Sequence, residues 1–256
     1  MRTICFVNLK GGVAKTATTV NVAAILAKCH QKRVLIIDAD SQCNATDFYG
    51  GDSAPLNLAD LLRYGPPSDG DWGIQETEFP GVEILPGDES LMDLDLTKVE
   101  TNDVSSTVLR DLAEDLERGD LVDYVLIDCP PAFNAASAAA LLAADEVVIP
   151  IKLDAFSLRG MANLMRQISN MRKINPLLNL AGLLPTMWYK SENIAKAEQQ
   201  LKDSGLPVFH HIRRTDKVDD MTFAQQPLVL SSPKSAACVD YKRFVSELMK
   251  GGKLDG

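Results

Sequence analysis

The stretch Lys10-Gly11-Gly12-Val13-Ala14-Lys15-Thr16-Ala17-Thr18-Thr19 constrains the fold of this chain more than any other. It follows a short apolar, β-branched run, Thr3 to Val7, and opens a helical pattern. A glycine-rich turn between a strand and a helix points successive backbone N–H groups into one concavity, at the positive end of the helix dipole. That concavity is a nest for a polyphosphate. In such a nest Lys15 reaches the β- and γ-phosphates and the Thr16 hydroxyl ligates Mg²⁺. One lysine is enough for a nucleotide, so Lys10, five residues before Lys15, needs a separate explanation. Taken alone, the segment could also be an ordinary glycine-rich turn.

The rest of the chain alternates short β-branched runs with helical periods, which predicts an α/β fold, doubly wound around a mostly parallel sheet. Strands are expected at Thr3–Val7, Arg33–Asp38, Val82–Leu85, Tyr124–Asp128, Glu146–Pro150 and Leu180–Leu184, with a further one at Pro207–Phe209. Most are continuous apolar runs, as strands buried on both faces should be. Between Phe156 and Arg172, Leu158, Met161, Met165 and Ile168 share one helical face. A last helix, about Ser235 to Lys250, repeats this with Tyr241, Phe244, Val245, Leu248 and Met249. Both stripes are core-facing surfaces rather than cofactor contacts. Tyr64 to Asp71, with two prolines and two glycines, is the plainest surface loop. With no repeat and no linker to divide it, the chain is expected to form a single domain over residues 1–256.

A chain of 256 residues, 46% of them apolar, can bury a sizeable core. It has no apolar run of membrane-spanning length, and it starts a strand at once rather than a signal peptide. Its five cysteines (5, 29, 43, 129 and 238) are odd in number and lack C-x-x-C spacing. They point to a reducing cytoplasm without disulfides or a zinc site, with Cys5 and Cys129 in the core. The net charge of −9 hides an asymmetry: residues 1–150 hold 10 Lys/Arg and 25 Asp/Glu, residues 151–256 hold 16 and 10. Residues 88–123 alone hold 12 acids and three bases, expected on exposed helix faces. A basic patch on an acidic protein fits this balance, as does an unevenly charged solvated surface.

Ligands of open α/β sheets sit at the carboxyl ends of the strands. Val34-Leu35-Ile36-Ile37-Asp38-Ala39-Asp40 brings two carboxylates to such an end, and Val125-Leu126-Ile127-Asp128 brings a third. An apolar strand ending in Asp beside a phosphate nest can hold Mg²⁺ directly or through water. A single such Asp could instead cap a helix or turn. Two such strands after a glycine loop are harder to explain that way.

Lys-Gly-Gly-Val-x-Lys-Thr resembles the deviant Walker A motif of the ParA/MinD family of ATPases. The family has Gly where this chain has Ala14, and usually Thr where it has Ala17. If the backbone at position 14 takes φ > 0, alanine there costs roughly 1–2 kcal/mol. Asp38-x-Asp40-Ser41-Gln42-Cys43-Asn44-Ala45-Thr46 is similar to the family's D-x-D-P-Q-G-N-A-T, and Asp128-Cys129-Pro130-Pro131 to its D-[TC]-P-P. The resemblance continues through Ala144 to Pro150, Phe156 to Gly160, Ile212-Arg213-Arg214 (for I-P-R) and Gln226 to Ser235. Asp154 stands where the family commonly has Glu near the dimer interface. Arg213, in place of proline, puts the adenine-side loop in question.

The resemblance implies a P-loop NTPase core that binds ATP and Mg²⁺. Gly11, Gly12, Val13, Ala14, Lys15, Thr16 and Ala17 would surround the phosphates, and Thr16, Asp38 and Asp128 would belong to the metal site. Asp40 would position the attacking water. Lys10 would cross a homodimer interface to the partner's nucleotide. The ParA branch binds non-specific double-stranded DNA as an ATP-bound dimer and is released by a ParB-like partner. Lys190, Arg214 and Lys217 are the candidate DNA contacts, although each could be a plain surface cation. These traits imply a cytoplasmic partition ATPase without an N-terminal helix-turn-helix domain, associated with the nucleoid when ATP-bound. A MinD-like membrane protein would need a basic amphipathic tail, and Met249 to Gly256 is poor membrane material. A small-molecule ATP-dependent enzyme on the same fold is the other alternative. It would leave the basic C-terminal half unexplained.

Overall fold

The computed structural model describes residues 1–51, 56–97 and 104–251, and the side chains of residues 155–160 are outside that description. Leu158 of the expected apolar stripe, the Phe156 to Gly160 motif and the tail beyond Gly251 therefore lie outside the described residues. Seven strands form one sheet: β1 (Arg2–Phe6), β2 (Val34–Asp38), β3 (Gln75–Glu76), β4 (Val82–Leu85), β5 (Tyr124–Asp128), β6 (Glu146–Lys152) and β7 (Asn179–Thr186). Their order is β3-β4-β2-β5-β1-β6-β7, parallel throughout except for the antiparallel β3–β4 pair. β1 is central and runs between β5 and β6, with Phe6 beside Asp128.

Period-two alternation inside apolar runs sorts the side chains between two cores. On one face Cys5, Leu35, Ile37, Val125 and Ile127 meet helices α3 (Leu58–Tyr64), α4 (Val108–Arg118), α5 (Ala135–Ala143) and α6 (Ala155–Met171). On the other, Ile4, Phe6, Ile36 and Leu126 meet α1 (Lys15–His30), α2 (Asn44–Tyr49), α9 (Leu228–Ser231) and α10 (Ala236–Met249). Two further helices, α7 (Glu192–Asp203) and α8 (Asp216–Ala224), lie between β7 and α9 in the chain. α1 is buried almost all round from Thr18 to Ala27, Thr18, Thr19 and Asn21 included, because it fills the space between the sheet and α10. It stops at Gln31, whose left-handed backbone turns its N–H back to Ala27 O. On α10, Tyr241, Phe244, Val245 and Leu248 are buried, and burying each such side chain stabilises the fold by about 1.5–3 kcal/mol. Cys5 and Cys129 are fully buried, and all five cysteines are free. Among the described residues no helix is long and apolar enough to cross a membrane.

Two details differ from the sequence reading. β3 is only two residues long, too short to show any periodicity. The expected strand at Pro207–Phe209 is an isolated bridge between Val208 and Leu183. Proline at its start has no N–H to extend a ladder, so the segment holds β7 by two bonds, Leu183 N–H to Pro207 O and Phe209 N–H to Leu183 O. That close approach needs Gly182: a Cβ there would stand 2.8 Å from the Phe209 ring and 3.0 Å from Pro207 O. Gly182→Ala is expected to lower stability by about 1–3 kcal/mol through overpacking, read from urea denaturation midpoints.

Candidate functional site

The loop from Asn8 to Ala14 joins β1 to α1 at the carboxyl edge of the sheet. Its shape is held from three sides. Asn8 donates from Nδ2 to Pro150 O (2.7 Å) and accepts the Lys10 N–H on Oδ1 (3.0 Å). Thr186, at the end of β7, donates to Val13 O (3.0 Å). Thr18 in the first turn of α1 donates both its N–H and its hydroxyl to Ala14 O. Gly12 (φ 68°) and Ala14 (φ 64°) are left-handed. Alternating hands turn neighbouring N–H groups to one side, and those of Gly11, Gly12, Val13 and Ala14 meet no acceptor among the described residues. Position 14 thus does take φ > 0, and its alanine carries the strain of roughly 1–2 kcal/mol that glycine would lack.

Lys15 opens α1 and is only 7% exposed, yet no hydrogen bond or ion pair among the described residues holds its ammonium. Burial lowers its pKa, while Asp128 and Asp40 nearby act in the opposite sense. No buried side-chain nitrogen is left without a partner among the described residues, so the ammonium keeps a contact with solvent, at which an anion can pair with it.

Three carboxylates gather at the neighbouring strand ends, and they are held differently. Asp38 and Asp128 are register partners on β2 and β5, both fully buried. The Asp38 Oδ2 accepts the N–H groups of Ala45 and Thr46 and the Thr46 hydroxyl (3.0, 2.8 and 2.9 Å). Its Oδ1 accepts the Asp40 N–H (3.2 Å). Asp38 therefore shapes the loop that carries Asp40. Asp128 accepts from Thr16 Oγ1 (2.5 Å) and Thr19 Oγ1 (3.4 Å). Burial pushes the pKa of both aspartates up; repulsion from Asp38 adds to the rise at Asp128, and repulsion from Asp40 to the rise at Asp38. Asp40 is 7% exposed and accepts the Gln42 N–H on Oδ1 (3.1 Å). Cys43 follows at φ 52°, a left-handed position at the start of α2.

Among the described residues no three His, Cys, Asp or Glu side chains are grouped as a metal cage. The Thr16 hydroxyl bonded to the Asp128 carboxylate is a pair of hard oxygen donors. That pair suits Mg²⁺, which binds one or two protein oxygens and takes the rest from phosphates and water.

Lys10 lies outside this group. Its Nζ pairs with Asp154 of the same chain, 2.8 Å from Oδ1 and 2.6 Å from Oδ2, and both residues are partly exposed. Beyond Ala14 opens a cavity of about 240 Å³ whose wall includes Thr186, Ile212, Arg213, Arg214, Val218 and Tyr241. Arg214 donates its N–H to Trp188 O (2.8 Å), and a bridge between Trp188 and Arg213 brings the segments of Lys190 and Arg214 side by side. Lys190 and Arg214 are exposed. Lys217 is exposed on α8, but its ammonium pairs with Asp220 (2.7 Å), on a helix that also carries Asp216 and Asp219. Asn8, Thr186 and Tyr241 escape a motif search. Only the strand-end position of the first two signals them.

A glycine loop between the central strand and a buried helix, facing strand-end carboxylates on a parallel sheet, defines an ATPase of the P-loop class. A family model described as an AAA domain (AAA_31) matches residues 1–180. The chromosome partitioning protein ParA of Caulobacter vibrioides is 33% identical, over 97% of this chain and 94% of its own. The chromosome-partitioning ATPase Soj of Thermus thermophilus is 32% identical, over 97% and 96%. The chain therefore belongs to the ParA/Soj family of partitioning ATPases. Among solved structures, apo McdA of Cyanothece superimposes with a TM-score of 0.84 at 22% identity, over 97% of this chain and 99% of that one. Cobyrinic acid a,c-diamide synthase of Mycobacterium smegmatis, bound to an ATP analogue and magnesium, gives 0.78 at 28% identity, over 99% and 96%.

Two measurements follow from this geometry. Ala14→Gly relieves the left-handed strain but loosens the unfolded chain, so a net gain of about 0.5–1 kcal/mol is expected in denaturant melts. The second concerns pH. Asp38 and Asp128 have higher pKa values folded than unfolded, so the ligand-free fold binds their protons more tightly. Their contribution is complete below the unfolded value near ~4 and is lost as pH rises through the raised values. The ligand-free melting temperature should fall from pH 5.5 to pH 8, and Asp128→Asn should flatten that slope.

Proposed function

We propose that this ATPase is a nucleotide-gated DNA switch in which ATP·Mg²⁺ occupies the Gly11–Ala17 loop and drives two chains together. The observation that carries the reading is a Lys15 ammonium with no direct partner, on a residue only 7% exposed, beside a loop whose N–H groups from Gly11 to Ala14 meet no acceptor among the described residues. A triphosphate satisfies both at once. Lys15 binds the β- and γ-phosphates, and the Thr16 hydroxyl with Asp128 holds Mg²⁺. Magnesium, when bound, neutralises charge on the phosphate oxygens. Asp38 braces the loop of Asp40, and Asp40 orients the attacking water; phosphoryl transfer depends on such positioning more than on a strong base. The likeness to the synthase structure with an ATP analogue and magnesium supports the choice of ligands.

In the dimer Lys10 exchanges Asp154 for the phosphates of the other chain. The dimer then binds non-specific duplex DNA through Lys190 and Arg214, with a smaller share from Lys217 because Asp220 already engages it. Phosphate contacts need placed cations and no base reading, and two chains double their number. A ParB-like partner speeds hydrolysis and returns the chains to the unbound state. The partition proteins among the relatives support this cycle over a small-molecule reaction.

The test is duplex DNA binding with ATP, with ADP and with no nucleotide, at 50 and 200 mM salt. Binding is expected only with ATP, weakening by about 10²–10³ between the two salts for roughly five phosphate contacts. Lys10→Ala should abolish it while leaving ATP affinity within a few-fold. DNA binding that ignores nucleotide, or none in any state, would reject the switch.

A further inference from the structure

We propose that Arg213 is a positioning residue for the nucleotide base, acting through its ion pair with Asp240 to fix one wall of the cavity beside Ala14. The inference rests on reading that cavity as the base end of the nucleotide site. The wall in question, Ile212 to Val218, precedes and opens α8 and has little regular structure of its own. On one side it hangs from the end of β7: Ile212 N–H donates to Pro185 O (2.8 Å), Trp188 N–H to Ile212 O (2.9 Å) and Arg214 N–H to Trp188 O (2.8 Å).

The other side is held by one carboxylate. Asp240, on α10, is 2% exposed and receives three bonds from Arg213: the backbone N–H at 2.9 Å, Nε at 2.8 Å and Nη2 at 2.8 Å. The same Nη2 reaches Ala236 O in the first turn of α10 (3.4 Å). His210 Nε2 stands farther off, 3.8 Å from Oδ1. A buried carboxylate satisfied chiefly by one residue ties that residue's backbone and side chain to a rigid helix.

What makes the tie matter for the cavity is the residue next to Asp240. Tyr241 forms part of the same cavity, and its hydroxyl lies 3.3 Å from Thr18 Oγ1 on α1. Thr18 in turn holds Ala14 O. Consecutive residues of α10 thus reach both walls, one through Arg213 and the other through Thr18 and the phosphate loop. Proline at position 213 would lack the N–H and the guanidinium, so here an ion pair supplies the stiffness of the wall. The separation of the walls decides whether a base fits. Moving the Ile212 to Val218 wall alone leaves the bonds that shape the phosphate loop, from Asn8, Thr186 and Thr18, in place.

That separation of roles gives the test. Affinities for Mg·ATP and for magnesium tripolyphosphate, which has no base, are measured by calorimetry on the full chain and on Arg213→Ala, Arg213→Lys and Asp240→Asn. Thermal melts accompany each variant. The wild-type chain is expected to prefer ATP. Arg213→Ala and Asp240→Asn should weaken ATP about tenfold and leave tripolyphosphate within about twofold, with Arg213→Lys recovering part of the loss. Equal weakening of both ligands, or of neither, would overturn the clamp while the base-end reading stands. A wild-type chain that binds tripolyphosphate as tightly as ATP would overturn the base-end reading and the clamp together. If Arg213→Ala fails to fold, Arg213→Lys decides by the same ratio.

Discussion

Crowding of charge at the carboxyl edge of the sheet is the constraint on which this structure depends. Asp38, Asp40, Asp128 and Lys15 arrive there on three neighbouring elements because β1 lies beside β5 and β5 beside β2. Buried apolar strands leave no room to move the charges apart. The chain manages them with hydrogen bonds: four donors fix Asp38 and two threonine hydroxyls fix Asp128. The lysine has no such arrangement. A site so prepared is complete only with a polyanion and a cation in it, and that is the physical content of nucleotide dependence in this fold.

The same logic divides the labour between the faces. Elements on one face of the sheet supply bulk, with α3 to α6 packed on Cys5, Leu35 and Val125. On the other face α1 and α10 pack together, and the phosphate loop and the cavity wall both refer to that pair. Charge follows a related division along the chain. The acidic excess lies in residues 1–150, whereas Lys190, Arg214 and Lys217 come from the basic remainder.

Much of this was legible in the sequence because it is local. The glycine loop, the strands ending in Asp38 and Asp128, and the apolar stripe of α10 all show in short windows, and each lies where expected. What the sequence withheld involves distant partners or backbone geometry. Asp154 is 144 residues from Lys10, and no pattern announces that the two pair. The left-handed backbone at Ala14 and Cys43 was hinted at only by the glycines that similar sequences carry there. Asp38 and Asp40 look alike in sequence, yet one is enclosed by N–H donors and the other is left partly open. Gln75–Glu76 shows no alternation because two residues cannot, and Pro207 turned an expected strand into a bridge.

The ring stack behind the cavity has an optical consequence. Trp188 lies flat on His211 (centroids 4.1 Å apart, planes at 3°) and donates from Nε1 to Glu198, while its backbone carries Ile212 and Arg214. His210 also stacks on His211, with centroids 4.5 Å apart. The other tryptophan, Trp72, is buried in the core beneath α3 to α6, and Trp188 packs against the edge of that same core. An indole in van der Waals contact with an imidazole changes its emission when the contact loosens. The protein thus contains a native fluorophore attached to the wall of its cavity, and any ligand that shifts this wall would be reported by Trp188 emission without a label.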